Sequence, residues 1–190
     1  MKFDIVIAGV GGQGVLSLSA IIASSALKEG LHVKQAEVHG MSQRGGAVVA
    51  DLRLSDQPIH SNTIPRGTAD LILGMEPLES LRYLEFLGPQ GVVLASDEPV
   101  TNIPDYPPLD EVLAAIRALP RGTLIEAKKL AKQAGSHRAS NVVMVGAASS
   151  LLPLKSATLS QFIRDMFARK GDKVVDANLK AFEMGREAVA

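Results

Sequence analysis

The chain contains no cysteine. That absence removes disulfides, thiolate nucleophiles and cysteine-ligated zinc, and it leaves no ordinary means of holding an iron–sulfur cluster within this polypeptide. Any iron–sulfur chemistry it joins must be carried by another chain. Tryptophan is also absent and aromatics make up 4% of the residues, so the core must be built from aliphatic side chains. Neither sign of charge is in excess, because 20 Lys and Arg balance 20 Asp and Glu. A general nucleic-acid binder would show a basic surplus. No apolar run reaches the roughly 20 residues of a membrane span. The start, Met1 to Ala8, is too short before its glycine turn to read as a secretory leader. The cytoplasm is the expected compartment, with neither nucleic acid nor membrane as a partner.

What is present reads as one α/β domain over residues 1–190. A chain of this length buries roughly 70% of its unfolded surface and needs no staple. Phe3 to Ala8 is a continuous apolar run, as expected of a strand covered on both faces. After a glycine turn, Val15 to Glu29 reads as a helix stopped by Gly30, and Val33 to Val38 as a second strand, which makes a βαβ unit. Ala47 to Leu54 is a strand with no helix before it, and Ile59 is expected to begin a short antiparallel return. Ala69 to Gly74 and Gly91 to Ser96 are further strands, joined by a helix from Pro77 to Leu87. Asp97 to Pro108 is acidic and proline-rich, hence a loop. Leu109 to Ile116 has helical spacing, Thr123 to Ala127 reads as a short strand, and helix follows up to Gly135. Asn141 to Leu152 is apolar nearly all round and reads as a buried helix. Thr158 with Gln161 forms a capping-box pattern for a helix through Arg169, and Val175, Leu179 and Phe182 mark the last helix. The expected architecture is a three-layer α/β/α, Rossmann-like domain with a mixed, mainly parallel sheet.

Two stretches carry chemistry. Gly9, Gly11 and Gly14 fit the G-x-G-x-x-G pattern between a strand and a helix. Glycines let the helix N-terminus, with its free N–H groups and positive partial charge, come close to an anion. Glu37 stands where a dinucleotide site would place its ribose-binding carboxylate. An anion or cofactor fragment, a nicotinamide or flavin dinucleotide, or nothing beyond close packing of strand on helix all fit the turn. The second stretch, residues 37–46, packs His39, Arg44 and three glycines between two strand-like runs. Arginine offers a planar fork for phosphate or carboxylate. The same segment would also serve as a subunit contact with no ligand, with Met41 suited to an interface. Other motifs fail: Val15 and Leu16 stand where a P-loop needs Lys and Ser or Thr, and the four histidines are scattered, so no metal site is expected. The basic residues Arg117, Arg121, Lys128, Lys129, Lys132 and Arg138 read as a solvated helix face or as a surface that steers an acidic protein or a phosphorylated ligand.

Taken together, Gly9-Val10-Gly11-Gly12-Gln13-Gly14, the 37–46 segment (Glu-Val-His-Gly-Met-Ser-Gln-Arg-Gly-Gly) and Ala69 to Glu76 resemble the gamma-type subunit or domain of 2-oxoacid:ferredoxin oxidoreductases. The wording of residues 37–46 is most similar to the small subunit of the indolepyruvate enzymes. The resemblance implies a fold like domain III of pyruvate:ferredoxin oxidoreductase. It also implies a partner: a large alpha subunit carrying thiamine diphosphate, Mg and [4Fe-4S] clusters, which passes electrons to ferredoxin. A 2-oxo acid and coenzyme A are the implied substrates. Carried over residue by residue, Gly11, Gly12, Gln13 and Gly14 would hold a CoA phosphate, Arg44 would meet another anionic group or a carboxylate of the partner chain, and Glu37, His39 and Gln43 would line the cleft, with Gly9 and Gly45 also among the cofactor-binding positions. No catalytic residue is identifiable from the sequence. A free-standing NAD(P)-binding oxidoreductase and a non-catalytic scaffold subunit are the alternatives.

Overall fold

The computed structural model describes residues 1–39 and 45–189. The strands are β1 (Lys2–Val10), β2 (His32–His39), β3 (Ala47–Ser55), β4 (Ala69–Gly74), β5 (Leu87–Ser96) and β6 (Gly122–Ile125). The helices are α1 (Val15–Lys28), α2 (Pro77–Arg82), α3 (Leu109–Arg117), α4 (Ala127–Gln133), α5 (Ser140–Ala148), α6 (Ser156–Phe167) and α7 (Asp172–Glu187). The sheet order is β2-β3-β1-β4-β5-β6. β3 runs against both its neighbours, and β1, β4, β5 and β6 pair in parallel, so the sheet is mixed and mainly parallel as expected.

The burial patterns follow from the layering. β1 and β4 are buried on both faces, which is why their sequences are continuous apolar runs. In β3, Val48, Ala50, Leu52 and Leu54 point into the core while Val49, Asp51 and Arg53 on the other face are only partly covered. β2 is an edge strand and is largely exposed. α1 and α4 to α7 pack on one face, and α2 and α3 on the other. α5 is buried from Asn141 to Ala148, because it lies between the sheet and α7.

Four expectations are corrected. The first forty residues are not a simple βαβ unit: β3 inserts between β1 and β2, so these two strands share a direction but never touch. No strand begins at Ile59. The segment there satisfies its backbone through side chains instead: Arg53 Nη1 donates to the Ser61 and Thr63 carbonyls at 3.2 and 2.9 Å, and the Ile64 amide donates to Asp51 Oδ2 at 3.0 Å. The helix from Pro77 stops at Arg82 and gives way to a 3₁₀ turn, Leu84–Phe86, because β5 starts early, with Leu87 paired to Ala69. The capping box at Thr158 is absent. The first turn of α6 already closes on the Lys155 carbonyl, which accepts from the Thr158 and Leu159 amides at 3.0 and 3.3 Å.

An ion pair braces the end of the sheet remote from the glycine turn. Asp4 and Arg53 are direct cross-strand partners of β1 and β3. Asp4 is fully buried and accepts from Arg53 at both oxygens, at 2.9 and 3.1 Å, and Lys2 Nζ lies 2.8 Å away.

Candidate functional site

The carboxyl ends of β1 and β4 point to one edge of the sheet. The chain leaves β1 through α1 on one face and β4 through α2 on the other, which opens a crevice between the two strands. Open α/β sheets bind ligands at such a point. The glycine turn sits there, and each of its residues has a distinct job. A Cβ on Gly9 would lie 2.9 Å from both Met75 Cβ and Val15 Cγ2, so Gly9 lets β1, β4 and α1 close on one another. Gly12 (φ 104°) and Gly14 (φ 83°) take left-handed backbone, where a β-branched residue is strained. Gly14 caps α1, and a Cβ there would also press to 2.7 Å from Asn141 Nδ2. Gln13 is committed at both ends of its amide: Oε1 accepts from the Val10 amide at 2.8 Å and Nε2 donates to the Met75 carbonyl at 2.9 Å. It ties the turn to the end of β4.

Two clefts meet at Gly12. One, about 370 Å³, is mainly apolar and is lined by Val10, Val15, Leu16, His39 and Val48 around Gly11, Gly12 and Gly14. Gly14, Val15 and Leu16, at the start of the 14-residue α1, line this cleft, and the first N–H groups of that helix have no acceptor within it. The other, about 410 Å³, carries more polar side chains: Ser96, Glu98, Lys128, His137, Arg138 and Ser140 surround Gly12, Gln13 and Met75. Lys128 is paired with Glu98. The basic run read from the sequence is therefore divided. Lys128 and Arg138 reach the polar cleft, Lys129 pairs with Glu126 at 2.7 Å, and Arg121 donates to the Gln90 carbonyl at 2.6 Å.

A strap, residues 97–108, crosses beside the turn. It is fixed on Glu76, which is 1% exposed and caps α2. One oxygen of Glu76 accepts from the Glu79 amide at 2.7 Å, and the other accepts from the Tyr106 hydroxyl at 2.5 Å and the Val100 amide at 3.3 Å. Burial and then the hydrogen bond to Glu76 push the Tyr106 hydroxyl far above its ordinary value, so it remains a donor. Asn102 of the strap donates to the Gly45 carbonyl. Gly45 and Gly46 in turn extend the β1–β3 ladder into the turn: the Gly45 amide donates to the Gly11 carbonyl at 3.3 Å, and the Gly11 amide to the Gly46 carbonyl at 2.9 Å. Nearby Glu79 is also buried, and its Oε2 has no partner among the described residues. Desolvation raises its carboxyl despite Arg82 alongside.

Of the sequence-nominated residues, Gly11, Gly12, Gly14 and His39 line the apolar cleft, and Gly12 and Gln13 the polar one. Gly9 and Gly45 shape the site through packing and backbone pairing. Glu37 lines neither cleft; it is exposed on β2 and accepts from Gln35. Gln43 and Arg44 lie outside the described residues. No sequence motif marks Ser96, Glu98, His137, Arg138 and Ser140 as site residues; the cluster of basic residues is the one signal on that side.

Comparison with known proteins gives this geometry its context. The family model for pyruvate ferredoxin/flavodoxin oxidoreductase matches residues 4–188. The chain belongs to that family. Its relatives include the Archaeoglobus fulgidus protein described as indolepyruvate oxidoreductase subunit IorB, 39% identical over 97% of this chain and 94% of that protein. A structure of 2-oxoglutarate:ferredoxin oxidoreductase from Magnetococcus marinus, described with 2-oxoglutarate, coenzyme A and succinyl-CoA bound, superposes with a TM-score of 0.78 at 26% identity. It covers 99% of this chain, which spans only 31% of that longer one. The gamma subunit of a keto/oxoacid ferredoxin oxidoreductase from Geobacter sulfurreducens superposes with a TM-score of 0.71 at 25% identity over 98% of both chains.

Within this family member, the sheet order also bears on the dinucleotide alternative. That reading needs the carboxylate of the second strand beside the glycine turn. β3 stands between, so β2 and Glu37 lie two strand spacings, roughly 10 Å, from β1. No group of residues among those described is arranged to hold a metal ion, and with no cysteine the donor set does not suit an iron–sulfur cluster. No helix among the described residues is long and apolar enough to cross a membrane.

Proposed function

We propose that this chain is the small, gamma-type subunit of a ferredoxin-dependent 2-oxo acid oxidoreductase whose substrate is an aryl pyruvate such as indolepyruvate. It forms a single domain over residues 1–190 and contributes the coenzyme A side of the site. A large subunit supplies thiamine diphosphate, Mg and the [4Fe-4S] clusters, which this cysteine-free chain has no ligands to hold. The overall reaction converts the 2-oxo acid, CoA and oxidised ferredoxin to an acyl-CoA, CO₂ and reduced ferredoxin, with two electrons leaving through the partner.

The observation that carries this reading is the meeting of two unlike clefts at Gly12. Coenzyme A is itself two-natured, with a phosphate-rich nucleotide end and a less polar pantetheine arm. The polar cleft offers Arg138 and His137 to phosphate oxygens, with Lys128 shared between such a ligand and Glu98. The first turn of α1 offers backbone N–H groups and the positive end of its dipole. The apolar cleft beside Val10, Leu16 and Val48 suits the arm. The indolepyruvate relative supports the substrate class, and the coenzyme A bound in the Magnetococcus enzyme supports the ligand.

Gly12→Val tests it in the complex reconstituted with the large subunit. No atom lies within 4 Å of a Cβ at Gly12, so the change clashes with nothing in the core; it strains the left-handed backbone of the turn and fills the mouth of the clefts. The apparent KM for CoA should rise about tenfold, which corresponds to about 1.4 kcal/mol, while the KM for the 2-oxo acid stays constant. An unaltered KM for CoA would remove the glycine turn from the CoA site.

A further inference from the structure

The contacts around the turn close into a ring. Gln13 links the glycine turn to the Met75 carbonyl at 2.9 Å. The next residue, Glu76, holds the strap through the Tyr106 hydroxyl and the Val100 amide. The strap reaches the Gly45 carbonyl through Asn102. Gly45 and Gly46 return to Gly11 by the pair of backbone bonds at 3.3 and 2.9 Å. Every link joins a different segment of the chain, and the only charged group in the ring is the buried Glu76 carboxylate. Three donors satisfy that carboxylate, two of them from the strap, so it has a strong reason to keep the strap in one place.

We propose that Glu76 and Tyr106 are positioning residues for the cleft: by fixing the strap they let Asn102 hold Gly45, and through Gly45 they set the glycine turn at Gly11. The inference rests on the CoA reading for its consequence, but the ring itself is a property of this chain alone. Neither residue touches the ligand in this account. Their effect travels through Asn102, which is exposed, half-anchored by its own Val100 contact (the Asn102 amide to the Val100 carbonyl, 2.9 Å), and dependent on the strap for its reach. Tyr106 suits the task chemically, because its hydroxyl stays a donor across any working pH. Without it, that buried Glu76 oxygen would keep only the longer bond from the Val100 amide.

Amide hydrogen exchange on the isolated chain reads the ring directly. Tyr106→Phe should speed exchange at the Gly11 and Gly45 amides at least fivefold while amides of α5 and α7 keep their wild-type rates. Asn102→Ala, a surface change that leaves the core untouched, should accelerate the same two amides, and the double variant should add little. In the assembled complex both single variants should raise the apparent KM for CoA three- to tenfold with kcat within twofold of wild type. Unchanged exchange at Gly11 and Gly45 in both variants overturns the inference. Accelerated exchange with an unchanged KM for CoA, while Gly12→Val still raises that KM, overturns the positioning role and leaves the CoA reading standing. An unchanged KM in all three variants overturns both.

Discussion

Gly146→Ala is expected to lower the unfolding free energy by about 3 kcal/mol, a large effect for a single methyl group. In an isolated helix the same change would stabilise by about 1 kcal/mol, because alanine is the better helix former. The sign is reversed here by the crossing of α5 and α7. A Cβ at Gly146 would lie 2.0 Å from the Phe182 carbonyl oxygen, and one at Gly185 would lie 2.0 Å from the Val143 carbonyl oxygen. Each glycine lets the backbone of the other helix approach, so both obstructions are backbone and no side chain can swing away. The helices would have to separate, loosening Phe182, which is fully buried, and the small residues around it. For a chain of this length the loss corresponds to a fall in Tm of roughly 6–12 °C. The double variant with Gly185→Ala should cost less than the sum of the two, since the helices separate only once. A rise in Tm for Gly146→Ala would show that the crossing has room to spare.

Arg53→Met is the second large loss, again about 3 kcal/mol. It removes both guanidinium contacts to the Asp4 carboxylate and the two bonds to the Ser61 and Thr63 carbonyls. Asp4 has no exposed surface, so its charge is left in the core with Lys2 as its nearest cation. Lys2 is half exposed and compensates only in part. Replacing Asp4 with leucine in the same molecule should recover much of the loss, because a buried pair exchanged for apolar side chains is often close to neutral. Urea midpoints of the single and double variants decide the matter. A single variant within 0.5 kcal/mol of wild type would mean that water already reaches Asp4.

Much of this architecture was legible in the sequence where one short-range rule dominates. β1 and β4 announce themselves as unbroken apolar runs, and α1 ends where Gly30, in left-handed backbone, stops it. The order of the sheet was not legible. The insertion of β3 between β1 and β2 is a long-range pairing choice, and a βαβ pattern in the sequence is silent about what slides into its gap. The segment after Ser55 misled for a related reason: its backbone is satisfied by Arg53 and Asp51, side chains already assigned to a strand. In the site, glycine spacing found the turn but not the division of labour within it. Gln13 looked available to a ligand, yet both ends of its amide are used internally. The polar cleft escaped because Ser96, Lys128 and Arg138 come from β5, α4 and the approach to α5, far along the chain from Gly12, and only folding brings them together. The family resemblance reached further than any single motif because it drew on three separated stretches at once.

On the function proposed above, this chain completes a catalyst whose redox groups are held by a partner. Anaerobic assay of ferredoxin reduction by indolepyruvate and CoA, with this chain alone, the large subunit alone and the two combined, tests it most directly. This chain by itself should give no turnover, and the pair should give CoA-dependent ferredoxin reduction. Reduction by the solitary chain at the rate of the pair would contradict it.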